Sequence, residues 1–212
     1  MPSHPHKAKA SRQDVCAPGE TWRVFVAIEL PSDVRQRIAE HIDRLRESIP
    51  EARASWSREG NLHFTLKFLG DIPVAKTEAL SQATQNAANM IRPFELIIGA
   101  CGAFPSHGQP RVLWIGTEDP SGQLALLHTA LEDECVKAGF PREARPFHPH
   151  LTIARVRQPK GSRQLAVLHK ETGFEPETVR VSELTVIRSE LRSEGSRHTI
   201  ISRHTFSSLK IE

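Results

Sequence analysis

Two short segments carry residue types suited to general acid–base chemistry. His63-Phe64-Thr65-Leu66 and His150-Leu151-Thr152-Ile153 share one form. Histidine titrates near pH 6.5, so near neutrality one ring can be neutral while another holds a proton, and the two can act as base and acid. Threonine hydroxyls can donate to the non-bridging oxygens of a phosphate. Such a set could deprotonate a water, protonate a departing oxygen and neutralise the added charge as a phosphoester is cleaved, with no metal required. The bare pattern is weak, because eleven histidines and twelve threonines give roughly 0.6 His-x-Thr triplets by chance. Its context strengthens it: both copies open apolar-backed strands, and there is no third.

Alternation along a strand sends residues i, i+2 and i+4 to one face. It predicts that His63, Thr65 and Lys67 face a cleft while Phe64, Leu66 and Phe68 face the core. His150 and Thr152 are likewise expected outward, with Leu151 and Ile153 inward. Two such strands side by side would gather two imidazoles and two hydroxyls. Lys67 then either adds positive potential to the cleft or is solvated.

The elements that must position these strands are read from periodicity. Arg23 to Ile28 is a buried strand. Val34, Ile38, Ile42, Leu45 and Ile49 mark an amphipathic helix with Ser32 as its cap, ending before Pro50. Residues 61 to 70 form a strand, and a helix is expected from about Val74 to Ile91. Phe94 to Ala100 and Arg111 to Gly116 are strands joined by a loop carrying Phe104, Pro105, Gly108 and Pro110. A third helix carries Leu124, Leu127, Leu131 and Cys135 and stops at Gly139. Strand signals follow at His150 to Val156, Val179 to Ile187 and Thr199 to Phe206. A helix is expected somewhere after each His-x-Thr strand, undelimited after the second. Helices and strands without strict alternation indicate an α+β fold, and the repeated tetrapeptide suggests two lobes related by an approximate twofold.

The bulk composition bounds the rest. With 38% hydrophobic and 25% charged residues, the 212-residue chain is globular. A net charge of +3 permits an anionic partner without requiring one. Cys16, Cys101 and Cys135 lack metal or disulfide spacing and are expected to be reduced thiols in a cytoplasmic protein. No apolar run is long enough to span a membrane. Residues 1–20 are expected to be a flexible tail and 21–212 one bilobal domain.

The segments Arg23-Val24-Phe25-Val26-Ala27-Ile28, Asn61-Leu62-His63-Phe64-Thr65-Leu66-Lys67-Phe68-Leu69-Gly70, Pro110-Arg111-Val112-Leu113-Trp114 and Arg145-Pro146-Phe147-His148-Pro149-His150-Leu151-Thr152-Ile153-Ala154-Arg155 resemble the bacterial and archaeal RNA 2′,3′-cyclic phosphodiesterases. These were first called 2′-5′ RNA ligases and belong to the two-histidine (2H) phosphoesterase superfamily. The resemblance implies a bilobal α+β fold, each lobe an antiparallel sheet with helices, and a central cleft. It implies cofactor-free hydrolysis of an RNA 2′,3′-cyclic phosphate to a 2′-phosphomonoester, and weak reversible 2′-5′ ligation. His63 would protonate the departing 3′ oxygen and His150 would activate water, though pseudo-symmetry allows the roles to exchange. Thr65, Thr152 and Arg155 would hold the phosphate. Arg155, five residues after His150, reaches the cleft only if the strand bends or ends there. Phe104 matches a loop residue that could stack a nucleobase, or is a core residue at a turn. The late Ser189-Glu190-Leu191 and Gly195 match too, but His198 stands where the family commonly has tyrosine, and the chain has no tyrosine.

The expected partner is RNA ending in a cyclic phosphate, or a cyclic nucleotide, bound by a monomer. Rival readings are a related phosphoesterase acting on 2′-5′ oligonucleotides or small cyclic phosphates, and a non-catalytic module that binds RNA ends. A zinc site built on His148 and His150 lacks a nearby carboxylate or cysteine to complete it.

Overall fold

The computed structural model describes residues 19–193 and 195–207. Cys16 and nearly all of the tail expected over residues 1–20 lie outside them. The apolar run at the start becomes β1 (Thr21–Glu29), whose residues Val24 to Ile28 are all buried. It leads into α1 (Ser32–Ser48), which buries Val34, Ile38, His41, Ile42 and Leu45 on one face. Ser32 is the first helical residue, not the cap; Pro31 holds that place. A short strand, β2 (Ala54–Trp56), precedes β3 (His63–Pro73). Then come α2 (Thr77–Asn89), β4 (Phe94–Phe104), β5 (Val112–Glu118) and α3 (Gln123–Lys137). The chain continues through β6 (His150–Val156), α4 (Ser162–Thr172), β7 (Glu177–Val181), β8 (Glu183–Arg192) and β9 (Gly195–Thr205). No helix among the described residues is long and apolar enough to cross a membrane.

The strands form two antiparallel sheets, β3-β1-β8-β9 and β2-β6-β5-β4-β7. This is the expected bilobal α+β architecture. The single strand signal over Val179 to Ile187 divides at Ser182: β7 completes the second sheet against β4, and β8 returns to the first against β1. Helices α2 and α3 pack together behind the first sheet, while α4 packs on β4 with α1 beside it. Each sheet thus rests on helices from both halves of the chain, and β3 lies beside β6 where the lobes meet.

One local device repeats in both halves. Opposite the consecutive residues Val26 and Ala27 of β1 stand Lys67 and Thr65, so Leu66 is an extra residue in β3. Opposite Leu113 and Trp114 of β5 stand Ala154 and Thr152, so Ile153 is extra in β6. A bulge leaves one residue unpaired and resets the alternation of faces. After each His-x-Thr, two successive residues are therefore buried, Leu66 with Lys67 and Ile153 with Ala154.

The bulge corrects the expected placement of Lys67 and Phe68. Lys67 is 3% exposed and points away from the cleft. Its Nζ donates to both carboxylate oxygens of Glu132 and to the Pro141 carbonyl, each at 2.8 Å. It is neither solvated nor part of the cleft's potential. Phe68, expected in the core, is 58% exposed and lines the cleft.

Candidate active site

The lobes enclose a cleft of about 750 Å³. His63 and Thr65 reach it from β3, and His150, Thr152 and Arg155 reach it from β6. The bulge at Ile153 supplies the bend that Arg155 needed, placing it on the face of Thr152. By the same offset, Phe68 shares the face of Thr65. Arg23, Arg58, Arg157 and Arg192 also line the space, and no carboxylate does among the described residues. That charge distribution suits an anion.

Each histidine is tied to the backbone two residues before it. His150 Nδ1 donates to the His148 carbonyl at 2.7 Å, which leaves Nε2 for the cleft. His63 makes a backbone hydrogen bond to Asn61 that favours its protonated form. Their surroundings otherwise differ. The His63 ring stacks on Phe25 at 4.7 Å and meets His198 edge-on at 5.2 Å. Burial, then the nearby His198, holds its pKa at about 4, despite the bond to Asn61. His63 is therefore neutral in the unliganded protein near pH 7. His150 meets the Phe104 ring edge-on at 5.1 Å. Phe104 also packs on Trp114 and stays 36% exposed; it buttresses His150 but is not among the residues that line the cleft.

These paired strands meet a match over most of the chain: a family model described as the 2′-5′ RNA ligase superfamily covers residues 34–192. The chain belongs to this superfamily. A relative from Methanothermobacter thermautotrophicus, named RNA 2′,3′-cyclic phosphodiesterase, is 35% identical over 178 residues, covering 84% of this chain and 95% of its own. An Escherichia coli relative of the same name is 31% identical over 185 residues, 87% of this chain and 96% of its own. Among solved structures, E. coli LigT in complex with 3′-AMP superposes with a TM-score of 0.66 at 28% identity, over 89% of this chain and all of LigT. A Thermus thermophilus protein gives 0.72 at 25% identity, over 87% and 97% of the two chains.

In this member of the 2′-5′ RNA ligase superfamily, all five residues expected to act on the phosphate line one cleft. Sequence reading missed Phe68, Trp56 and the other arginines. Arg157 could have been found, since it lies two residues beyond Arg155. Arg23, Arg58 and Arg192 come from distant segments, and only the pairing of β1 with β8 brings Arg23 and Arg192 to one wall. His148 and His150 do not converge as metal donors. Among the described residues the convergent group is His41, Cys101 and His169, away from the residues that line the cleft.

Proposed function

We propose that the protein hydrolyses 2′,3′-cyclic phosphate ends of RNA to 2′-phosphomonoesters, using His63 and His150 as its acid–base pair. The observation that carries this reading is the repeated bulged strand, which aims two His-x-Thr pairs into an arginine-lined cleft. The relatives' shared name, RNA 2′,3′-cyclic phosphodiesterase, supports the substrate.

In this mechanism Thr65, Thr152 and Arg155 bind the non-bridging oxygens and stabilise the charge that grows on them. His150, its ring held by the His148 carbonyl, takes a proton from water through Nε2. The water oxygen bonds to phosphorus, the bond to the 3′ oxygen breaks, and His63 delivers a proton to that oxygen. Because burial keeps His63 neutral in the open cleft, acid duty depends on the substrate: the phosphate's negative charge beside the ring favours the imidazolium. A 5′-hydroxyl in place of water would give a 2′-5′ linkage by the same steps. None of these steps uses a metal.

The test is incubation with RNA ending in a 2′,3′-cyclic phosphate, with and without excess chelator, and identification of the product isomer. A 2′-phosphomonoester formed equally in both is expected. A 3′-phosphate would overturn the bond assignment, and loss of activity with chelator while the fold stays intact by circular dichroism would overturn the metal-free chemistry.

A further inference from the structure

Behind the second sheet lies a group of side chains that the cleft chemistry does not use. His41 on α1 and His169 on α4 are fully buried, although α1 and α4 are far apart in sequence. His41 Nε2 faces His169 Nδ1 at 2.9 Å. Cys101 joins them from β4, beside the bulge at Ala100, whose φ of 41° is unusual for a residue with a side chain. One donor atom from each of the three lies within 4.8 Å of the others.

We propose that His41, Cys101 and His169, with a water in the fourth position, hold a zinc ion that pins α1 and α4 to β4. Two imidazoles and a thiolate are donors that zinc accepts, at about 2.0–2.1 Å from nitrogen and about 2.3 Å from sulfur. The His169 ring is already oriented for this duty. Its Nε2 donates to the Trp114 carbonyl at 3.0 Å, which leaves the Nδ1 lone pair pointing at His41. A metal-bound histidine commonly gives its other N–H to such a carbonyl. Burial keeps both rings in the neutral form that ligates metal, with His41 held at about 4. Burial also keeps the Cys101 thiol protonated, its pKa pushed up to about 11, so only a bound cation would draw out the thiolate.

Binding is proton-balanced. The Cys101 thiol releases its proton to solvent, and the His41 proton moves from Nε2 to Nδ1, so that one proton leaves per ion bound. Cys101 is half-buried and offers the route of entry. The ligands approach the sheet at Trp114, the residue paired with Thr152, so the site would brace β5 behind the catalytic strand without entering the reaction.

Cobalt titration of reduced, chelator-stripped protein tests this, because tetrahedral Co²⁺ with a thiolate ligand has intense visible bands and a near-ultraviolet charge-transfer band. One equivalent should bind with both features and be displaced by Zn²⁺. Cys101→Ser should remove the charge-transfer band and weaken binding about tenfold or more, and Zn²⁺ should raise the Tm of the unaltered protein but not of this variant. The Cys16→Ser/Cys135→Ser double variant, which keeps Cys101 as the only thiol, should retain the full spectrum even if Cys101→Ser folds poorly. Weak octahedral cobalt spectra, or a charge-transfer band lost in the double variant, would overturn the proposal.

Discussion

The two His-x-Thr strands share a backbone and differ in what surrounds it. In both, the extra residue of the bulge is the one after threonine, and the partner strand matches position for position: Val26, Ala27 and Ile28 in one lobe take the places of Leu113, Trp114 and Ile115 in the other. The side chains diverge from there. The buried residue after the bulge is Lys67 in β3 and Ala154 in β6, and the next one to face the cleft is Phe68 in β3 and Arg155 in β6. His63 sits among Phe25 and His198, whereas His150 is braced by a carbonyl and Phe104. A symmetric scaffold thus presents two imidazoles at equivalent positions, and the local substitutions give them different walls: an aromatic side chain on one side, a cation on the other.

The largest effect should come from removing either member of the equivalent pair. His63→Ala and His150→Ala should each lower kcat on a 2′,3′-cyclic phosphate by about 10²–10⁴-fold with the fold intact. The double variant should be little worse than the worse single one, as for groups that act as a unit. Near-normal turnover in one single variant, measured by product formation under saturation, would mean that the symmetry is structural and one lobe carries the chemistry alone.

Lys67 has no counterpart in the other lobe, yet its ion pair reaches both sides of the comparison. It and Glu132 are buried together, and Glu132 also accepts from the Glu143 backbone in the segment that leads to His150. Lys67→Met leaves an uncompensated carboxylate and should cost about 3–5 kcal/mol by urea denaturation. Adding Glu132→Leu should recover most of that loss, since an apolar pair of similar volume is often as stable. A single variant of unchanged stability would show that the pair contributes nothing net.

Much of this was legible in the sequence because most elements have clean periods. The two histidines and threonines stood out as a motif, and the buried strands and α1 followed from apolar spacing. Helix α4 was not delimited because the residues it buries, Ser162, Leu165 and His169, include one aliphatic. Strand β2 is only three residues long, too short for alternation to register. The bulges were unreadable for a deeper reason. Register belongs to a pair of strands, and nothing in Leu66 or Ile153 alone says that its partner will skip it. Strict alternation therefore put Lys67 on the wrong face, and Arg155 could be brought to the cleft only by assuming a bend. The arginines of the cleft come from separate segments, so a net charge of +3 gave no hint that five of them converge.

Phe68 and Arg155 occupy equivalent positions with opposite chemistry, and their alanine variants should separate two kinds of binding. Arg155→Ala should lower kcat/KM about tenfold or more, the scale of hydrogen bonds to a charged group, and should reduce the salt dependence of binding by about one phosphate contact. Phe68→Ala should raise KM about fivefold, as expected for one lost base–aromatic contact, with the salt dependence unchanged. Steady-state kinetics across a salt series reads both. Identical salt responses would mean that Phe68 has no distinct role in binding the base.

The smallest predicted effect concerns the neighbour that only His63 has. His198 stands 5.2 Å from both His63 and Phe25, and its positive form would oppose protonation of His63. Burial is the larger cause of the low His63 pKa and survives a substitution that keeps an aromatic ring in place. His198→Phe should therefore raise the His63 pKa only part of the way from about 4 towards the ordinary value. The acid limb of the kcat/KM profile reports the free enzyme, so it should move up with it. NMR titration of the His63 ring measures the shift. If His63 does not move, burial against Phe25 alone sets its acidity, and the contrast between the two lobes reduces to one of packing.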